Sequence, residues 1–268
     1  MIGQLHLLEN IKSSLGNFPR FSIVVGDRGS GKHLVVDYIC RSLGLQKISF
    51  GTSIDDVRKI IELSYSQDKP ICYVCYNADK MSIGAKNSLL KITEEPPQNA
   101  YFILTLQSLC NTLETIQSRA TIFQLDPYTE DDLISYRKFK RYGDFFDNVI
   151  KDVCSSTGEV DTLFKNDVPS FYSFAENVAF KVQEPTTGNI FKIPKYLKTK
   201  EDGEGFDPIL LFRAVRNLYI KRAIKEKSSK YLWAAEITSE CLRELNLQSV
   251  NKVGTVDKWI MDVRTVLR

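Results

Sequence analysis

Several features are missing or scarce in these 268 residues, and each absence excludes something. No stretch approaches the roughly 18 consecutive apolar residues of a membrane span, and the opening Met1 to His6 lacks the basic-then-apolar order of a secretory signal. A cytoplasmic protein with no membrane partner is expected. Cysteine is thin: 6 residues, at 40, 72, 75, 110, 154 and 241, are too scattered for a disulfide framework. The Cys-x-x-Cys pair Cys72/Cys75 lies in the apolar run Ile71 to Tyr76 and lacks a second Cys/His pair to complete a zinc site. Residues three apart in a strand point to opposite faces, so both are read as buried thiols, and neither zinc nor another metal is expected. A strong charge of one sign is also absent. The net charge is +3, and from residue 166 onward 17 Lys/Arg face 13 Asp/Glu, a mild excess that permits nucleic-acid contact without requiring it. No internal repeat is detectable.

What is present describes a globular chain of two or three domains, with 43% hydrophobic and 26% charged residues. Phe21 to Val25 reads as a strand running into a glycine loop, followed by a helix over Leu34 to Leu43 that Gly44 stops. A helix over Asp55 to Ser64, a buried strand over Pro70 to Cys75, a helix capped by Ser82 and running through Glu94 to the stop at Pro96-Pro97, and a strand over Tyr101 to Thr105 continue the alternation. Thr121 to Leu125 is the last strand signal. Such β/α alternation implies a mainly parallel sheet covered on both faces. Short helical patterns follow over Glu130 to Tyr136, Phe145 to Cys154 and Glu159 to Phe164; residues 185–206 are loop-like. Asp207-Pro208 then starts a long helix through about Lys227, and helices over Tyr231 to Leu245 and Val256 to Leu267 finish the chain.

The glycine loop carries the chemistry. Gly26-Asp27-Arg28-Gly29-Ser30-Gly31-Lys32-His33 has the glycines and lysine of a phosphate-binding loop, whose N–H groups and ammonium cradle phosphates. It lacks the hydroxyl that should follow the lysine to hold Mg²⁺, because His33 stands there. Two outcomes stay open: ATP or ADP bound weakly by Gly26, Gly29, Gly31 and Lys32, or an inherited turn kept empty or filled by Arg28.

With three further segments, Asn77 to Met81, Asn87 to Pro97 (NSLLKITEEPP) and Ser118-Arg119-Ala120, this loop resembles the AAA+ family of clamp-loader subunits in bacterial DNA polymerase III. The resemblance covers about the first 165 residues. It implies an α/β, RecA-like parallel sheet with helices on both faces (1–126), a helical lid (127–165) and an all-α collar for oligomerisation (166–268). In that family the strand before the second segment ends in Asp-Glu, which order Mg²⁺ and the attacking water; here Tyr76 and Asn77 occupy those places. A phenol is a poor ligand for a hard cation, and an amide cannot take a proton from water. The family's lid arginine is replaced by Asp161, within Ser155-Ser156-Thr157-Gly158-Glu159-Val160-Asp161, where a carboxylate repels phosphate. Thr105 matches the polar first sensor at a nucleotide site, and it equally suits an ordinary strand end. The four-cysteine zinc insertion of many bacterial members is missing between Gly44 and Pro70.

Arg119 is the residue that the resemblance makes functional. Its counterparts are presented in trans to a neighbour's ATP, where a guanidinium stabilises charge on the transferred phosphoryl group. The expected function is therefore that of a catalytically inactive clamp-loader subunit in a hetero-oligomer, acting with other subunits, a sliding clamp and primed DNA. Two rivals are an active ATPase using Asp79 with an unusual metal shell, and an AAA+-fold scaffold outside replication. The basic residues Arg213, Arg216, Lys221, Arg222, Lys225, Lys227 and Lys230 spread round their helix at about 100° per residue, as a solvated or interface helix does. Phe212, Val215, Tyr219 and Trp233 are candidates for collar core or interface.

Overall fold

The computed structural model describes residues 2–143, 146–182, 206–247 and 250–267. They form two compact units: Met1–Asp132 with Ser156–Gly158, and Leu133–Ser155 with Glu159–Arg268.

The first unit is a five-stranded parallel sheet in the order β2-β3-β4-β1-β5, built from β1 (Phe21–Val25), β2 (Gln46–Phe50), β3 (Ile71–Cys75), β4 (Ala100–Leu106) and β5 (Thr121–Gln124). Around it run α1 (Leu5–Ser14), α2 (Lys32–Ser42), α3 (Ile54–Ser64), α4 (Ile83–Glu94) and the single turn α5 (Glu114–Gln117). Parallel strands need crossovers, and helical crossovers cover both faces, so β1 and β3 are buried at every position. The period of two sorts their side chains into two cores. Ile23, Val25, Tyr73 and Cys75 join Ile60, Leu89 and Ile92 on one face; Val24, Cys72 and Val74 join Val35, Ile39 and Cys40 on the other.

Ser53 and Ser82 cap α3 and α4 by accepting the N–H groups of Asp56 and Ala85. The helix after the glycine loop begins at Lys32, two residues before its apolar periodicity, since Gly31 at φ +94° turns the chain directly into it. Three elements of this unit escape the pattern reading: α1, β2 and the single turn α5. β2 is a polar edge strand, exposed at Gln46, Lys47 and Ser49, and α1 lies ahead of the first strand signal.

The second unit is helical: α6 (Glu130–Lys140), α7 (Asp147–Val153), α8 (Thr157–Lys165), α9 (Val168–Lys181), α10 (Pro208–Glu226), α11 (Ser229–Leu245) and α12 (Lys252–Leu267). The expected loop at 185–206 lies, except for Phe206, outside the described residues. Asp207 caps α10 by accepting from Ile209 and Leu210, with Pro208 in the first turn. Phe212, Val215 and Tyr219 are fully buried core, with Phe212 edge-on to Trp259 at 4.8 Å and Tyr219 donating to the Ala179 carbonyl at 2.9 Å. Trp233 instead is 61% exposed. Several basic residues of α10 have acidic partners in this unit: Arg213 with Glu159, Lys221 with Asp152, Arg222 with Glu226. No described helix is long and apolar enough to cross a membrane.

Candidate functional site

The glycine loop sits at the carboxyl end of β1, an interior strand between β4 and β5, and open parallel sheets bind ligands at the carboxyl ends of their strands. Gly29 and Gly31 adopt φ +77° and +94°, a region closed to most side chains. A Cβ at Gly26 would meet Ser30 Oγ at 2.7 Å and Leu125 Cβ at 3.0 Å. Lys32 is buried and turned back into the loop, with its Nζ donating to the carbonyls of Gly26 (2.6 Å) and Asp27 (2.8 Å). Burial pushes its pKa below the usual lysine value, against the opposing pull of Asp79 and Asp27. Two outer carbonyls are taken as well. Tyr128 Oη donates to Ser30 O at 2.8 Å, and the Gly158 N–H and Thr157 hydroxyl donate to Gly29 O at 3.0 and 3.3 Å. Gly158 comes so close that a Cβ there would stand 2.7 Å from Gly29 Cα. Gly158 was legible within a lid motif; Tyr128 carried no sequence signal.

The two positions at which the sequence resemblance would place Mg²⁺ ligands hold a closed aromatic pair. The rings of His33 and Tyr76 stack at 3.9 Å between centroids and 2° between planes. Lys47 donates to Tyr76 Oη at 3.2 Å and pairs with Asp37, which drives the Lys47 pKa up. Desolvation, assisted by Lys32 and Lys47 and opposed by Asp37, lowers the His33 pKa and favours the neutral imidazole. An imidazole and a phenol occupied with each other do not fit a hard cation that prefers carboxylate and water. Among the described residues, no group of three or more His, Cys, Asp or Glu side chains could hold a metal ion.

Neighbouring positions have structural partners. Asn77 takes a left-handed φ of 55°, and its N–H donates to Thr105 Oγ1 at 3.0 Å. Thr105, buried, thus ties β4 to the end of β3. Asp79 is buried in a 3-10 turn; its carboxylate accepts the Gln107 N–H at 3.0 Å and Asn111 Nδ2 at 3.2 Å. That anchors the loop after β4 and offers no support for a metal role. Asp161, in the helical unit, accepts hydroxyls from Tyr136 (2.8 Å) and Tyr142 (2.9 Å) and lies 3.8 Å from Lys140 Nζ.

Arg119 follows α5 and is exposed. Its Nη1 donates to Thr115 O at 2.8 Å, and its Nη2 lies 2.8 Å from Glu94 Oε1 at the end of α4. Folding therefore joins the third and fourth sequence segments through one ion pair, while Gly26, Gly29, Gly31 and Lys32 make up the loop itself.

A parallel α/β sheet with a phosphate-type loop at the end of an interior strand, followed by an all-α region, is the architecture of the AAA+ fold. Residues 17–129 match the family described as DNA polymerase III, delta subunit. Over those residues the chain is similar to clamp-loader-type subunits of DNA polymerase III. It is 27% identical over 182 residues to DNA polymerase III subunit gamma of Buchnera aphidicola, covering 55% of this chain and 50% of that one. To subunit delta' of Haemophilus influenzae it is 33% identical over 91 residues, 32% of this chain and 28% of that one. The chain thus spans half or less of the length of these relatives. A DNA polymerase III gamma subunit-related protein from Thermotoga maritima shares the fold, with a TM-score of 0.58 and 14% identity over 98% of this chain and 100% of that chain.

Proposed function

We propose that this chain is a clamp-loader subunit that hydrolyses no ATP itself and presents Arg119 to the ATP of a neighbouring subunit. The stacked His33–Tyr76 pair carries this reading, because it fills with two mutually satisfied rings the positions where hydrolysis needs a metal shell. Lys32, bonded to Gly26 and Asp27, adds to it: nucleotide has to displace both bonds before the ammonium can serve a phosphate. ATP or ADP in this loop is accordingly weak and without Mg²⁺. Residues 127–165 serve as lid and 166–268 as collar in a cytoplasmic hetero-oligomer that acts on a sliding clamp and primed DNA.

The test has two arms. Phosphate release by the purified chain should stay at background, and turnover near 1 s⁻¹ or above that Lys32→Ala abolishes would overturn the inactive reading. In the complex purified from the native cell through a tag on this chain, Arg119→Ala should leave assembly intact. The DNA-stimulated kcat should fall at least about tenfold, since fingers of this kind are worth about 10³ to 10⁵ in GTPases.

A further inference from the structure

The last residue of α4 is Glu94, and the following Glu95-Pro96-Pro97 ends the helix. Its carboxylate projects to Arg119, 2.8 Å away. The carbonyl of Thr115, in the single turn α5, accepts a second guanidinium N–H at 2.8 Å. Two acceptors on two different elements therefore hold a side chain that is 37% exposed. A free arginine carries about 2 kcal/mol of rotamer entropy, all of which must be surrendered when the fork is ordered against a phosphate. A fork already held by two of its N–H groups surrenders less, and its remaining N–H groups stay available to an anion. Geometry also separates the two contacts: Thr115 O is tied to the backbone of the turn that leads into Arg119, whereas Glu94 comes from α4, which precedes β4 in the chain, and so sets the direction of the guanidinium relative to the domain.

We infer that Glu94 is the positioning residue for Arg119, orienting the guanidinium for a partner's triphosphate; this rests on the arginine-finger reading above. Exposed ion pairs contribute little to stability, with a median of about 0 to 1 kcal/mol, so the role of Glu94 lies in orientation and its removal leaves the fold intact. The partner's ground-state nucleotide binding is unaffected, because the oriented fork acts on charge that develops in the transition state.

Two measurements test it. In the tagged native complex with MgATP, Glu94→Ala should lower the stimulated kcat about two- to fivefold, the scale of an exposed pair, with KM unchanged. Glu94→Gln, which keeps an acceptor oxygen, should recover part of the loss, and Glu94→Ala added to Arg119→Ala should cost nothing more. An unchanged kcat in Glu94→Ala, or an equal further loss in the Arg119→Ala background, overturns the positioning role. If Arg119→Ala itself leaves kcat unchanged, the finger reading is what fails. The second measurement uses the chain alone: phenylglyoxal modification of Arg119, followed by peptide mass spectrometry, should run about two- to fivefold faster in Glu94→Ala. An unchanged rate shows that Glu94 does not hold the guanidinium and overturns the inference without reference to any partner.

Discussion

Gly158→Ala sets two known effects against each other at one atom. Gly158 is the second residue of α8, where helix propensity alone makes alanine better than glycine by at most about 1 kcal/mol. The new methyl would, however, stand 2.7 Å from Gly29 Cα, 3.1 Å from Gly29 O and 3.3 Å from Gly29 C, all backbone atoms of the phosphate loop. No flexible side chain is there to swing away. Gly29 itself is held at φ +77°, and its carbonyl is bonded to Gly158 N and Thr157 Oγ1. Overpacking against a rigid neighbour costs about 1 to 3 kcal/mol, so the clash should outweigh the propensity gain and leave a net destabilisation of about 1 kcal/mol. Gly254→Ala is the matched control. Gly254 also sits in a helix, α12, but its added methyl meets only Asn251 at 3.5 Å and beyond, an ordinary contact. That substitution should stabilise by about 0.5 to 1 kcal/mol. Differential scanning calorimetry should thus move the two variants in opposite directions, by roughly 2 to 4 °C per kcal/mol for domains of this size. A raised Tm for Gly158→Ala would refute the close approach of Thr157–Gly158 to the phosphate loop.

Three other expectations follow from named contacts. The His33 pKa is depressed below its ordinary 6.5, so the folded state binds fewer protons than the unfolded state and stability should fall as pH drops through and below 6.5. His33→Phe keeps a ring without a titrating group, and its Tm advantage over wild type should widen between about pH 7.5 and about pH 5.5; a constant difference would contradict the stacked, neutral imidazole. Trp233→Ala should weaken co-elution with partner subunits while leaving the Tm within about 1 °C, because the ring is exposed; unchanged co-elution would place assembly elsewhere. Arg119→Lys should restore little of the kcat lost in Arg119→Ala, since an ammonium is a point charge without the planar fork, and full recovery would reject a bidentate role.

Much of the secondary structure could be read from residue order, because its signals are local. The run Phe21 to Val25 into a glycine loop, Ser82 before α4, Pro96-Pro97 after it and Asp207-Pro208 before α10 each announce a boundary within a few residues. The departures at His33, Tyr76, Asn77 and Asp161 were equally legible, being substitutions at known spacings. β2 was not: an edge strand needs one buried face at most, so Gln46 to Phe50 carries too few apolar residues to stand out. What the lost residues do instead needed the folded chain. His33 and Tyr76 lie 43 positions apart and stack only because α2 and β3 meet on the same side of the sheet. Nothing near Lys32 in sequence says that its ammonium turns inward, nor that Glu94 and Gly158 find Arg119 and Gly29. Periodicity and capping act over one or two turns, whereas these contacts depend on how whole elements pack, and that is decided by the two cores on either face of the sheet.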